Sequence, residues 1–318
     1  MSTLSIRLLS TGFVAACLAV AAAPASACTL WAAAGPQASG GGTLLAKNRD
    51  WRHGQRQALE YRFPRHGIPY FGLYAVDGQA RGIKAGVNRD GLSAVTASAS
   101  SIPNALRASQ PGKQGVLRRI LSHYASVDDL AAHASQVFSR SRAMFLLVSD
   151  RSKMLVAEIG LQGQYSYKVL DKGQTAHTNY YLDPALADFN IKVGRSSAAR
   201  YARVTQLLGQ SVGPYTLDAF SVISGDHHGG PDDSLWRTGK REATLASWII
   251  DSPASGPQTL RVVIDNPGAA KTTRRFILDA VFWDRAGSDH HAVRPSGGTE
   301  RPAIGPGARR GRPTPGES

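Results

Sequence analysis

From residue 29 to residue 97 turn-forming residues cut the chain into short apolar or alternating runs, leaving no room for crossover helices. Thr29 to Ala34 is apolar almost throughout, and Pro36 to Gly42 is a Gly- and Ser-rich turn. Thr43-Leu44-Leu45-Ala46 then returns as a second strand, giving a hairpin that ends in Lys47-Asn48-Arg49-Asp50-Trp51. Leu59 to Phe63 alternates. Tyr70 to Val76 is aromatic-rich and runs into Asp77-Gly78, while Gly82 to Val87 leads through Asn88-Arg89-Asp90-Gly91 to a further strand, Leu92 to Ala97. Strands this close in sequence pair antiparallel, because a parallel pair needs a long crossover. The first third of the chain therefore predicts antiparallel sheet and excludes βαβ units.

Helical spacing takes over in Gly115 to Ala125 and Val127 to Phe138, with Ser126 as N-cap ahead of Asp128-Asp129. Strands return at Met144 to Ser149 and Met154 to Ile159, across the turn Asp150 to Lys153, and near Tyr165 to Leu170. Ser196 to Gly209 reads as a helix and Leu217 to Ile223 as a shorter one. Late strands are expected at Thr244 to Ile250 and Leu260 to Asp265. The order of strands, helices and strands, with no internal repeat, predicts an α+β fold in which antiparallel sheets are covered by helices.

The ends differ in kind from this body. Arg7 followed by the apolar run Leu8 to Ala23, the break at Pro24 and the small-x-small site Ala25-Ser26-Ala27 reads as a secretory signal. Thr11 and Gly12 interrupt the run, which falls short of a membrane span. From Ala286 the chain is rich in Gly, Pro, Arg and Ser. The expected organisation is a signal peptide at 1–27, one domain at 28–285 and a disordered basic tail at 286–318. The product would be exported, periplasmic or secreted, with signal peptidase as its processing partner and no stable membrane anchor. The formal charge is +14. Its arginines are dispersed and no basic run is interleaved with aromatics, so nucleic acid is not an expected partner. Self-association is left open.

Removing the leader discards Cys17 and leaves Cys28 as sole thiol and first residue, so no internal disulfide can form. A terminal cysteine carries its own base: a free α-amine has a pKa of roughly 7.7–8 and can accept the thiol proton directly or through water. The thiolate is the nucleophile, and amide attack then needs donors aimed at the oxyanion. Two other readings stay open at this point, an ordinary buried thiol at a strand start and a lipoprotein cysteine. The lipoprotein route cuts before a Cys but favours a Leu-like residue where this chain has Ala25.

Cys28-Thr29, Lys47-Asn48-Arg49-Asp50-Trp51, Gly86 to Leu92, His177-Thr178-Asn179 and Ser196 to Arg200 follow one another in an order that resembles the N-terminal-nucleophile (Ntn) hydrolases. Within them the chain resembles the branch of penicillin V acylase, choloylglycine hydrolase and the acyl-CoA:6-aminopenicillanic acid acyltransferase (C45) type. Ser224 to His228 and Thr244 to Ser247 resemble the acyltransferase-like members. The resemblance implies an αββα four-layer sandwich and a linear amide C–N hydrolase or acyltransferase working through a thioester on Cys28. Its substrate would be a small N-acyl amine or amino acid; penicillin V, N-acyl homoserine lactones and bile-salt conjugates are further options. It implies Asp50 as the partner of the Cys28 amine, Asn179 as an oxyanion donor, Asn88 as a second donor or substrate contact, and Arg200 beneath the thiol. Lys47 and Trp51 would touch substrate. No cofactor or metal is implied.

One position departs from that pattern. Lys47 stands where the family has Arg, keeping the charge but losing the planar fork of donors. Arg49 is not expected to replace it, on the reasoning that neighbouring side chains on a strand face opposite ways. Asp226-His227-His228 with Asp232-Asp233 lacks the spacing of a helical metal site and reads as a hydrogen-bonded loop near the site mouth. There is no Gly-x-Ser-x-Gly elbow, and Ala38 to Gly42 lacks the Lys-Ser/Thr of a phosphate loop. The competing functional reading is a lipidated or degraded binding protein of the cell surface on the same scaffold.

Overall fold

The computed structural model describes residues 27–110, 115–210 and 213–284. The expected leader, apart from Ala27, and the expected tail lie outside the described residues. In chain order, β1 (Thr29–Ala34) and β2 (Thr43–Trp51) form a hairpin, followed by β3 (Gln57–Arg62), β4 (Tyr70–Ala75), β5 (Gly82–Asn88) and β6 (Ser93–Ser98). Four short helices come next: α1 (Asn104–Ser109), α2 (Val116–His123), α3 (Val127–Ala132) and α4 (Ala134–Phe138). Strands β7 (Met144–Ser149), β8 (Met154–Ile159), β9 (Tyr165–Leu170) and β10 (Gly173–His177) lead to α5 (Arg195–Gly209), α6 (Leu217–Ser224) and a helical turn, α7 (Gly230–Asp233). The chain closes with β11 (Ala243–Ser252), β12 (Gln258–Ile264) and β13 (Thr272–Leu278).

These strands build two antiparallel sheets, one ordered β10-β1-β2-β11-β12-β13 and the other β3-β4-β5-β6-β7-β8-β9. They pack face to face. Leu30, Ala32, Ala34 and Leu45 of the first sheet join Phe71, Leu73, Ala85, Val87, Phe145 and Leu147 of the second in one core. The alternate residues Trp31, Ala33, Leu44 and Ala46 face outward into a separate core under α5 and α6. Tyr70, Ala94, Leu146 and Val148 do the same under α2, α3 and α4. Both sheets are thus covered on both faces, which is why β1 is buried at every residue and reads as a continuous apolar run. The expected αββα layering is observed.

The helix over the second sheet lies close because of Gly86, where a Cβ would come within 2.5 Å of Leu121 Cδ1. The Ser126 cap forms as expected, its Oγ accepting from the Asp129 N–H at 3.1 Å. The segment expected as one helix over Val127 to Phe138 is divided at His133, whose φ of −109° and ψ of 13° leave the helical region. Strand β2 runs five residues past its expected end at Ala46, because polar residues 47–50 are buried between neighbouring strands rather than marking a turn. Strands β10 and β13 were not expected. Both are edge strands, rich in Thr, Gln or Arg, whose outward positions need no apolar residue.

Candidate active site

The β1–β2 register pairs Thr29 with Asn48 and Leu30 with Lys47, which lays residues 47–50 alongside Cys28. Strand alternation then divides these four between two faces. Lys47 and Arg49 share the face of Leu45 and point into the space between the sheets with Cys28, where all three line one cavity. Asn48 and Asp50 share the face of Ala46 and turn toward the α5–α6 layer. Asn48 holds α6 there, donating to the carbonyls of Ser224 and Leu235 at 2.8 Å each.

This arrangement corrects the expectation for Arg49. It is two residues from Lys47, not one, so the period of a strand returns it to the same face. Its guanidinium hydrogen-bonds the Cys28 side chain and stacks 4.8 Å from the centre of the Trp51 ring, another cavity residue. Its Nη1 donates to the Asp50 carbonyl at 2.5 Å and its Nη2 to Gln55 Oε1 at 2.6 Å. Lys47 instead crosses to the opposite sheet, where Nζ donates to the carbonyls of Lys84 at 2.8 Å and Thr96 at 2.5 Å.

Burial by itself would push the Cys28 thiol up. The charges of Lys47 and then Arg49 outweigh it, Asp50's charge opposes them, and a hydrogen bond from the Asp50 backbone helps, so the thiol ends below its ordinary value. Lys47 is itself brought down to about 8, by burial first and with Arg49's charge adding to it.

On the other face of β2, Asp50 is fully buried and raised to about 6 by burial, against the opposing charges of Arg200 and Arg237 and the hydrogen bond from Thr244. Its Oδ1 accepts from Thr244 Oγ1 at 2.7 Å, whereas Oδ2 accepts no hydrogen bond among the described residues and lies 3.9 Å from nitrogens of both arginines. Arg237 is held in turn by Glu242 at 2.6 Å. Sequence reasoning passed over Arg237 and Glu242 and quoted Thr244 without a role. Only the pairing of Asp50 with Thr244 across β2 and β11 brings them in.

Arg200 sits on the buried side of α5 and joins the parts. Its Nη1 donates to the Cys28 carbonyl at 3.0 Å and to Thr29 Oγ1 at 2.6 Å, and its Nη2 donates to Asn179 Oδ1 at 3.1 Å. Asn179, just past β10, donates from Nδ2 to the Ser98 carbonyl at 2.9 Å, and Ser98 lines the cavity beside Cys28. Cys28, Asp50, Asn179 and Arg200 are therefore brought together, with Lys47 and Trp51 on the cavity wall.

Asn88 is not. It faces α2, where Nδ2 donates to the carbonyls of Leu121 at 3.0 Å and Tyr124 at 2.8 Å while Oδ1 accepts from the Leu92 N–H at 2.9 Å. Both amide hydrogens are spent on the end of α2, whose last carbonyls have no partner within the helix. The expected oxyanion or substrate role is replaced by a structural one. Asn88→Ala is expected to cost about 1–3 kcal/mol of stability by leaving those buried carbonyls unpaired, with kcat/KM of the folded protein unchanged; chemical denaturation beside steady-state kinetics checks both. The Asp226 to Asp233 segment is likewise not on the cavity: Asp226 pairs with Arg203 of α5 at 2.6 Å, and residues 230–233 form α7 against that helix.

A family model, the acyl-coenzyme A:6-aminopenicillanic acid acyl-transferases, matches residues 38–268. The chain belongs to that family. It is an enzyme of the acyltransferase type with an Ntn-hydrolase fold. Among solved structures, a conjugated bile acid hydrolase from Clostridium perfringens is similar at 12% identity, over 78% of this chain and 92% of that one, with a TM-score of 0.50. The Caenorhabditis elegans ortholog of N-acylethanolamine-hydrolyzing acid amidase matches at 12% identity, over 71% and 93%, with a TM-score of 0.49. No curated protein matches the sequence. This acyl-transferase family member has a cavity of about 950 Å³ at the Cys28 end of β1.

Proposed function

We propose that this protein is an exported cysteine Ntn hydrolase that cleaves a linear amide of an N-acyl amine or amino acid through a thioester on Cys28. Leader removal at Ala27–Cys28 frees the α-amine that takes up the thiol proton. The thiolate adds to the substrate carbonyl, and the Asn179 amide, oriented by Arg200, stabilises the oxyanion. Collapse of the tetrahedral intermediate breaks the C–N bond, and the leaving amine takes the proton back from the Cys28 ammonium. Water or a second amine then attacks the thioester, giving a carboxylic acid or a new amide and restoring the thiol.

The observation that carries this reading is the position of Arg200, which hydrogen-bonds the Cys28 carbonyl and the Asn179 amide while lying 3.9 Å from Asp50. Asp50 Oδ2, which accepts no hydrogen bond among the described residues, supports it too, because a buried carboxylate oxygen wants the kind of donor that a freed ammonium supplies. Ala27 and Cys28 are both buried, which favours cutting during export, by signal peptidase and before folding, over attack on the finished fold; self-cleavage is the backup route. The protein would work in the periplasm or outside the cell.

The test is the N-terminus of protein recovered from an exporting host, read by intact mass, together with product mass from N-acyl amines with and without a competing amine. The proposal expects a free Cys28 amine and acid release, with new amide wherever transfer competes. A diacylated Cys28, or a chain that starts elsewhere, overturns it.

A further inference from the structure

The cavity beside Cys28 is lined by nine Lys or Arg side chains and, among the described residues, by no Asp or Glu. The chain carries 23 acidic residues, so this is not for want of carboxylates. Only one of the nine, exposed Arg62, has an ion pair among the described residues, with Glu60 of its own strand. Away from the cavity, cations that reach a carboxylate are more frequent, Arg56, Lys153, Arg203 and Arg237 among them.

A row of surface cations in water would be ordinary. These are not all at the surface. Lys47 and Arg49 are buried and serve the thiol. Beyond them Lys84 of β5, Arg107 of α1 and Arg142, two residues ahead of β7, are half-buried from three different elements, with Arg81 and Arg118 exposed at the rim. Arg142 Nε is buried and has no hydrogen-bond partner among the described residues. Burial, followed by the charges of Arg49 and Lys47, brings Lys84 down to about 7, so the cluster stands at a cost that a bound anion would relieve. Walls of one sign around a low-dielectric cleft concentrate ligands of the other sign. The same lining includes Tyr70, Tyr74, Ile83, Val116 and Leu117, an apolar surface suited to an acyl chain.

We propose that the substrate is an N-acyl compound bearing an acidic group, a carboxylate, sulfonate or phosphate, and that Lys84, Arg107 and Arg142 form the subsite that holds it. This rests on the amide-cleaving reading above. The shared chemistry is a fixed negative charge, carried on either the amine half or the acyl half of the amide.

The test uses mature protein carrying Cys28→Ala, which binds without turning over, titrated calorimetrically with four probes. These are N-octanoyl ethanolamine, N-octanoyl glycine, N-octanoyl aspartate and the ethanolamide of a dicarboxylic acid of the same chain length. At least one acidic arm is expected to bind about tenfold or more tightly than the neutral probe. Preference for the glycine and aspartate arms places the charge on the amine half, and preference for the last places it on the acyl half. The advantage is expected to shrink several-fold between about 50 and about 500 mM salt, and to collapse in a Lys84→Met/Arg142→Met protein. Equal binding of neutral and acidic probes overturns the proposal, as does an advantage indifferent to salt. If the double variant fails to fold, the salt series on the parent protein still decides. Tight acidic binding with no cleavage by the Cys28 protein would instead sink the amidase reading and leave the anion subsite standing.

Discussion

Cys28→Ala is expected to reduce kcat/KM toward any N-acyl amine by at least about 10³-fold, while leaving the fold and its melting temperature close to the parent. The thiol is hydrogen-bonded by the Arg49 guanidinium and the Asp50 backbone at one end of the core, and alanine keeps every atom of the residue but the sulfur, so the change removes the proposed nucleophile and little packing. Keeping the thiol but blocking the amine, by retaining even one residue ahead of Cys28, is expected to abolish turnover to a similar degree. The proton acceptor would then be a peptide nitrogen, which has no basic lone pair. These two variants separate nucleophile from base.

The thiolate itself is read by alkylation with iodoacetamide against pH. The half-rate point is expected below that of an ordinary cysteine, and Lys47→Met and Arg49→Met are each expected to move it upward, Lys47 more. A buried thiol without either cation would lie above the ordinary value, so the direction of the shift identifies the cause. A profile unchanged by both substitutions would show that neither charge tunes the sulfur.

What the sequence disclosed, and what it withheld, follows from how local each feature is. The hairpin of Thr29–Ala34 with the strand from Thr43, the meander through Ser98 and the Ser126 cap rest on contacts within a few residues, and apart from the far end of β2 their boundaries were legible to within about two positions. The edge strands β10 and β13 carry no apolar face of their own and are defined only by the partners beside them. Asn88 sits in Asn-Arg-Asp-Gly, a turn that looks the same whether its amide faces a substrate or a helix end; only α2 lying over Gly86 decides. Arg49 was legible and misread, since two steps along a strand restore the face. The carboxylate Asp50 was legible, but the cations and Thr244 around it come from α5, from the loop before β11 and from β11, well over a hundred residues away.

Arg200→Met is expected to cost about 3–5 kcal/mol of folding stability, the range for removing one partner from a buried charge pair, and to lower the melting temperature by roughly 10 °C. The loss has three parts that add at one point. Asp50, already raised to about 6 by burial, would keep Arg237 at 3.9 Å but lose the larger of the two arginine charges that hold it down, and would rise further. The Cys28 carbonyl and Thr29 Oγ1 would lose the Nη1 donor that fixes the start of β1. Asn179 would lose the Nη2 donor that sets which way its amide points. Arg200→Lys is not expected to rescue, because one ammonium cannot reach the Cys28 carbonyl and the Asn179 amide together as the two arms of a guanidinium do. The alkylation profile of whatever folded protein remains distinguishes this role from that of Lys47. Lys47 and Arg49 are the cations that chiefly lower the thiol, so Arg200→Met should move the profile less than Lys47→Met does while harming stability more. A variant that melts like the parent, or that shifts the thiol more than Lys47→Met, would mean that Arg200 acts on the sulfur and not on the frame around it.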